Sequence, residues 1–210
     1  MTFPNEPTRG SHSPKSLLTR MKHIKRISTS VQNLTDILTD FMNFEMLEKG
    51  IMIAENKVFN LPEFLLTLRE EMSTVAGIKH QTISYNHTGD ELVEQSEKIL
   101  RNVLLNLLSN ASKYSQEGNE IELISIISHN MVMISVKDNG IGIPMEDQDK
   151  LFTEFFRAGN VENIQGTGLG LSIVKKYMDL LEGTITFESN AEEGTIFTIE
   201  FPQNYNYMQR

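Results

Sequence analysis

The order of periodicities along this chain predicts an α+β fold preceded by a long helix. Three observations carry that expectation. An apolar stripe at heptad spacing runs from Leu17 to Phe41. Helical patterns recur over about 60–76, from about Ser96, and over about 169–181. Between them, β-rich runs occupy 81–86, 120–128, 131–137, 184–189 and 195–201. Helical side chains share a face every three to four residues and strand side chains every second, so the two patterns cannot be exchanged.

Composition sets the outer limits. A chain of 210 residues and 23.9 kDa suits one ordinary domain with an appendage, and 39% hydrophobic with 22% charged residues reads as soluble and globular. The net charge of −9 and pI near 5.1 oppose nucleic-acid binding, because only the short basic run from Arg20 to Arg26 could offset phosphate repulsion. A magnesium nucleotide is still compatible, since it needs only a local site. With no cysteine there is no disulfide, thiolate metal site or thiol nucleophile, which agrees with a reducing compartment. No apolar run approaches the roughly 20 residues of a spanning helix, and the start lacks a signal-peptide pattern. The stretch reads as cytoplasmic and without membrane contact, leaving open an anchor elsewhere in an intact protein.

Residues 1–13, rich in Pro, Gly, Ser and Thr, read as a flexible leader or a cloning remnant. Ser13-Pro14 opens a helix with a capping hydroxyl and a proline where no amide donor is needed. Along 14–49, Leu17, Ile24, Val31 and Leu38 hold one heptad position and Ile27, Leu34 and Phe41 the other. Such a stripe needs cover, most simply from other helices in a symmetric dimer, or else from the chain's own globular domain. Gly50 stops the helix and 50–60 reads as a hinge. Asn60 caps the next helix, with Pro62 just inside it, and opens a domain over 61–204. Residues 120–128 and 131–137 read as a hairpin through His129-Asn130. Residues 145–165 read as a mobile flap anchored by Leu151, Phe152, Phe155 and Phe156. Residues 205–210 are a tail.

Candidate ligand chemistry concentrates in three places. In NLLSNASKYS (106–115), Leu104, Leu107, Leu108 and Ala111 form an apolar row, so Val103, Asn106, Asn110 and Lys113 form a second row in which both asparagines and the lysine share one polar strip. Asn110 offers a neutral oxygen suited to a magnesium ion held mainly by phosphate and water. Lys113 could reach the same phosphates or simply oppose the helix dipole, and Tyr114 could cover a nucleotide or be half-buried packing. In DNGIGIP (138–144), Asp138 is either turn chemistry or a carboxylate accepting from adenine's exocyclic amine, which guanine lacks at that position. Gly140 and Gly142 would let backbone approach the base. In GTGLGL (166–171), the spacing departs from a dinucleotide fingerprint and no parallel βαβ unit begins there, yet a glycine turn opening a helix still offers amides to an anion. Gly166, Gly168 and Gly170 would wrap phosphates and act as hinges. Arg157 is a candidate γ-phosphate clamp or a solvated arginine beside phenylalanines.

NLLSNASKYS, DNGIGIP, LFTEFFRA, GTGLGL and Gly194-Thr195-Ile196-Phe197 resemble, in order, the N, G1, F, G2 and G3 boxes of sensor histidine kinases of the GHKL superfamily, over about 60–202. The resemblance implies a two-layer α/β sandwich of Bergerat type, with a mixed sheet backing three helices and ATP lying between loops and a lid. It implies ATP and Mg²⁺ as ligands, with Asn110 on the metal, Lys113 and Arg157 on phosphates, Tyr114 near the nucleotide, Asp138 on the adenine amine and Thr195 assisting it. Asn106, Lys113 and Arg157 would form the catalytic set, and Ile143, Thr167, Leu169 and Leu171 would join the glycines in contacting nucleotide. Residues 14–49 resemble the second helix of the family's dimerisation and phosphotransfer hairpin, which implies a homodimer and a response regulator receiver domain as partner.

One departure shapes the functional expectation. The family's acceptor histidine, followed by an acidic residue and then a proline, has no counterpart: His12 lies in the leader, His23 is flanked by lysine, and His80, His87 and His129 fall in loops or turns. The expected activity is therefore transfer of the γ-phosphoryl group to a histidine outside this chain, without self-phosphorylation. Related ATPases place a water-activating glutamate four residues before the metal asparagine, where Asn106 stands here, and an amide cannot take that proton. A GHKL-type ATPase and a nucleotide-regulated binding module are the alternatives.

Overall fold

The computed structural model describes residues 14–128, 130–161, 164, 166–191 and 193–203. The leader with His12, the turn residue His129 and the 205–210 tail lie outside the described residues. The chain divides into two compact units, 1–39 and 40–210.

Within the first unit the described backbone is helical throughout, as part of helix α1 (Pro14–Glu48). Its described heptad residues are exposed, Ile24 at 65% and Leu34 at 67%. Thr35 returns its hydroxyl proton to the carbonyl of Val31, four residues back. The C-terminal end of α1, in the second unit, closes as the glycine predicts. Gly50 sits at φ 61, its N–H bonds Leu47 O at 3.0 Å, and Ile51 N–H bonds Met46 O at 3.0 Å, a pairing that answers the last helical carbonyls.

The second unit continues through β1 (Lys57–Asn60), α2 (Leu61–Gly77), β2 (Thr82–Gly89), β3 (Leu92–Gln95), α3 (Glu97–Tyr114), β4 (Glu120–Ser128), β5 (Met131–Asp138), α4 (Met145–Gln148), α5 (Gly170–Leu180), β6 (Thr184–Asn190) and β7 (Gly194–Pro202). Five strands form a mixed sheet in the order β2-β4-β5-β7-β6. Only β2 and β4 run parallel, their crossover carrying α3; the other pairs are antiparallel. Asn60 caps α2 by accepting from Glu63 N–H at 2.9 Å.

Alternation in β4 and β5 buries Ile121, Leu123, Ile127, Val132, Ile134 and Val136 on one face. Against that face lie α2 through Leu61, Leu65 and Leu68, α3 through Leu100, Leu104, Leu107 and Leu108, and α5 through Val174 and Tyr177. Three helices on one face of a mixed sheet make the expected two-layer sandwich. Each fully buried leucine contributes about 1.5–3 kcal/mol, so the leucine row of α3 alone fixes the helix's roll and turns its opposite strip outward.

Several expectations give way. The 50–60 hinge ends in a strand: β1 pairs antiparallel with β3, Lys57 opposite Gln95 and Asn60 opposite Leu92. Four residues are too few for alternation to show. Val103 is fully buried, because the apolar arc of α3 is wider than the leucine row. Phe155 anchors nothing: it stands at φ 60 and is 64% exposed, while Leu151, Phe152 and Phe156 are partly covered. His87 is not a loop residue but part of β2, its ring between Ser125 Oγ at 2.8 Å and the carbonyl of Asp90 at 2.9 Å. Among the described residues no helix is long and apolar enough to cross a membrane.

Candidate functional site

The polar strip of α3 points where the sequence places it. Asn106, Asn110 and Lys113 are all partly exposed, and Asn110 Nδ2 donates to Asn106 Oδ1 at 3.0 Å. Lys113 Nζ stands 5.0 Å from the centre of the Tyr114 ring. Burial lowers the pKa of Lys113, and the nearby Arg157 lowers it further, while Asp40 acts the other way. Burial raises the pKa of Tyr114, against a smaller opposing influence of Arg157. Lys113 and Arg157 are thus close enough to repel.

Asp138 closes β5 at 5% exposure, directly opposite Thr195 on β7. Burial raises its pKa to about 6 despite backbone N–H bonds from Gly140 and Thr195. The Gly140 N–H reaches Oδ1 at 2.8 Å. Behind it, Ser189 on β6 shares a 2.8 Å hydroxyl contact with Thr195 and accepts from Ile143 N–H at 2.9 Å, tying the glycine loop to the sheet. The loop is tied to α3 as well: Ser115 bridges to Gly140, and Ile141 N–H bonds Tyr114 O at 3.4 Å. The carboxylate of Asp138 and the strip of α3 are therefore joined through one short segment.

The glycines explain themselves by what they touch. A methyl group at Gly140 would stand 2.5 Å from Asp138 Oδ1, one at Gly166 2.8 Å from Lys113 Nζ, and one at Gly170 2.7 Å from Asn106 Nδ2. A polar group lies so close to each of these glycines that none has room for a side chain. Gly168 needs its glycine twice over, for φ +75 and for a methyl position 2.7 Å from the Phe155 backbone. The 166–171 loop thus lies against α3 and the 152–157 segment together. Leu169 and Leu171 flank the start of α5, Leu169 buried and Leu171 partly so. Thr167 donates to Asp40 Oδ2 at 2.8 Å and accepts from Leu169 N–H at 3.1 Å.

Arg157 donates to the carbonyl of Val161 at 2.7 Å and also to that of Ile164, so it holds its own loop. Asn160 Nδ2 reaches Gly142 O at 2.9 Å, and Asp147 accepts from Gly159 N–H at 2.8 Å. Gln148 bonds Ile143 O and Ser189 O at 3.1 and 3.2 Å. Asp40, Asp147, Gln148, Asn160 and Ser189 were not legible as site residues. Only Ser189 had a signal, since a tight turn through Gly194 sets it opposite Thr195.

The donor set fits magnesium held by a nucleotide and does not fit a protein-held ion. Among the described residues no three His, Cys, Asp or Glu side chains gather as a metal cage, whereas Asn110 offers one neutral oxygen. Magnesium keeps waters and leans on phosphates, so one amide suffices.

Residues 95–205 match the family model described as histidine kinase-, DNA gyrase B-, and HSP90-like ATPase. The sensor protein CiaH of Streptococcus pneumoniae is 31% identical over 174 residues, covering 81% of this chain and 38% of its own. The chain thus spans well under half the length of that relative. Among solved structures, the catalytic domain of histidine kinase ThkA in a nucleotide-free form is 32% identical with a TM-score of 0.63, over 71% of this chain and 96% of that one. ThkA in complex with the response regulator protein TrrA aligns at 27% identity and a TM-score of 0.70, over 92% of this chain and 53% of that one. By the family match over 95–205 and its likeness to the ThkA catalytic domain, this chain belongs to the histidine kinase-, DNA gyrase B- and HSP90-like ATPases and, within them, to the ATP-binding catalytic domains of sensor histidine kinases.

Proposed function

We propose that this chain binds Mg-ATP and passes the γ-phosphoryl group to the imidazole of a histidine supplied on a separate helical hairpin. The observation that supports it most is the joint between Asp138 and the end of α3, which puts a base-reading carboxylate and a phosphate-reading strip on one segment. Asp138 accepts from the adenine amine, held by Thr195, with Gly140, Gly142 and Ile143 beneath the base. Lys113, Tyr114 and Arg157 face the triphosphate, together with the backbone of 166–171. Magnesium, when bound, neutralises phosphate charge; Asn110 supplies one of its oxygens. In the transfer the bond from the γ-phosphorus to the bridging oxygen breaks, a bond to the acceptor nitrogen forms, and ADP leaves. Asn106, hydrogen-bonded to Asn110, takes no proton, which favours transfer to an imidazole over hydrolysis.

Residues 61–204 serve as the catalytic domain and 14–49 as one helix of a dimerising hairpin, whose exposed heptad seam is the surface a second copy would cover. ThkA in complex with TrrA supports a response regulator as the downstream partner. The test is to mix this chain with Mg-ATP and a histidine-bearing hairpin from a related sensor kinase, then look for acid-labile phosphate on the hairpin. Tight nucleotide binding without any transferred phosphate would leave a binding module; steady release of phosphate without the hairpin would make it an ATPase.

A further inference from the structure

Helix α3 carries Asn110, Lys113 and Tyr114 on its last turns, and a helix end leaves its final carbonyls without intrahelical donors. Here two side chains from the turn after α2 answer them. Lys79 Nζ donates to Ser112 O at 2.8 Å, Lys113 O at 3.0 Å and Ser115 O at 3.4 Å. Gln81 Nε2 lies within bonding distance of Ser112 O at 3.1 Å, Ser115 O at 3.3 Å and Gln116 O at 3.0 Å. Its Oε1 accepts from the Ser112 hydroxyl at 2.7 Å. Gln81 and Ser112 are each 5% exposed, so their part of the network is buried, while Lys79 is partly exposed.

The turn that presents these groups is itself held. Gln81 N–H bonds Ala76 O at 3.1 Å, Gly118 N–H bonds Lys79 O at 2.9 Å, and Thr82 N–H bonds Asn119 O at 3.2 Å. A lysine on an ordinary surface keeps its ammonium in water. This one spends its donors on three carbonyls at the negative end of a helix dipole, where a cation is favourable.

We infer that Lys79 and Gln81 are positioning residues for the nucleotide site. They set the direction in which α3 ends, and that direction decides where Lys113 and Tyr114 stand relative to Asp138. The same turn holds the Asp138 loop through Tyr114 O and Ser115. Slack in the clamp therefore separates the phosphate-facing groups from the base-facing carboxylate. A ligand that bridges the two ends feels that displacement; a ligand that occupies only the base end does not.

The inference rests on the nucleotide reading above, and its test separates the two. Calorimetric titration of the whole chain with Mg-ATP and with adenosine is compared for the parent, Lys79→Met and Lys79→Arg, with amide exchange followed over 110–116. Lys79→Met keeps the apolar stem and loses the donors, so it weakens ATP by about fivefold or more, weakens adenosine by less than about twofold, and speeds exchange in the last turn of α3. Lys79→Arg recovers most of the ATP affinity. Should Lys79→Met not fold, Gln81→Met, which loses the Nε2 donors without adding a charge, is read in the same way. Unchanged ATP affinity in the variant overturns the clamp, as does an equal loss for ATP and adenosine that arginine does not recover. A parent chain that binds no ATP overturns the nucleotide reading itself, and the clamp with it.

Discussion

Replacing Asp138 with asparagine removes one buried charge at almost no change in size, which separates what the carboxylate costs the fold from what it offers a ligand. Burial raises this carboxyl from 3.8 to about 6 in the folded protein. Below about pH 4 both folded and unfolded chains hold the proton, and the site costs nothing. Between about pH 4 and 6 the unfolded chain ionises first, and above pH 6 the folded protein bears the full difference of roughly two pH units, about 3 kcal/mol. Asparagine is neutral throughout, so Asp138→Asn melts above the parent at pH 8, and the gap closes toward pH 4.

The gain is smaller than that ceiling. The backbone donors of Gly140 and Thr195 lose a charged acceptor, and the new amide nitrogen needs one. A net of about 1–2 kcal/mol moves the melting temperature by about 3–6 °C for a unit of this size. Ligand binding moves the other way. Adenosine, free of the triphosphate's own titration, binds the ionised carboxylate; with a pKa of about 6, about a tenth of sites are ionised at pH 5, and affinity falls about tenfold from pH 7.5. The variant binds adenosine about tenfold to a hundredfold more weakly at pH 7.5, without that pH dependence. Scanning calorimetry from pH 4 to 8 and adenosine titrations check both halves. A variant that melts below the parent at pH 8, or adenosine affinity that is flat from pH 7.5 to 5, refutes the reasoning.

Asn110→Asp puts a charge where a neutral oxygen is proposed to face magnesium, so ATP binding shifts to lower magnesium concentration; a superimposable magnesium titration counts against that role. Gly168→Ala forces a methyl into the Phe155 backbone at φ +75, and should lower the melting temperature and weaken ATP by about tenfold or more while leaving adenosine binding nearly unchanged. Equal ATP affinity would mean that the loop adapts freely. Asp40→Asn removes the anion that engages Thr167 and sits near Lys113, so ATP binds about twofold to fivefold more tightly; weaker binding in the titration would show that Asp40 supports the site instead.

Much of the fold is legible because the leucine row of α3 and the alternation in β4 and β5 each need the same face covered. The capping of α2 by Asn60 and the termination of α1 at Gly50 are equally local: a side-chain acceptor and a left-handed residue act within a few positions. The strands β1 and β3 escaped, since each is short and exists only because the other completes its ladder. Val103 shares a row with the asparagines yet is fully buried, because a helix's buried arc depends on how many neighbours surround it, which no periodicity states.

At the site, Asp138, Asn110, Lys113 and the glycines could be named from chemistry and order along the chain. What the later glycines are for could not: that Lys113 and Asn106 lie too close to Gly166 and Gly170 for a side chain to fit is a matter of distances between segments far apart in sequence. The chain by itself determined the local geometry of caps, turns and alternating faces, because those are set by covalent neighbours, and it offered the candidate site residues by type and order. The tertiary structure alone decided how far Asp138's proton affinity rises, what Arg157 holds, and that Lys79 and Gln81 close the end of α3. Desolvation and long-range hydrogen bonds exist only once remote segments have excluded water between them.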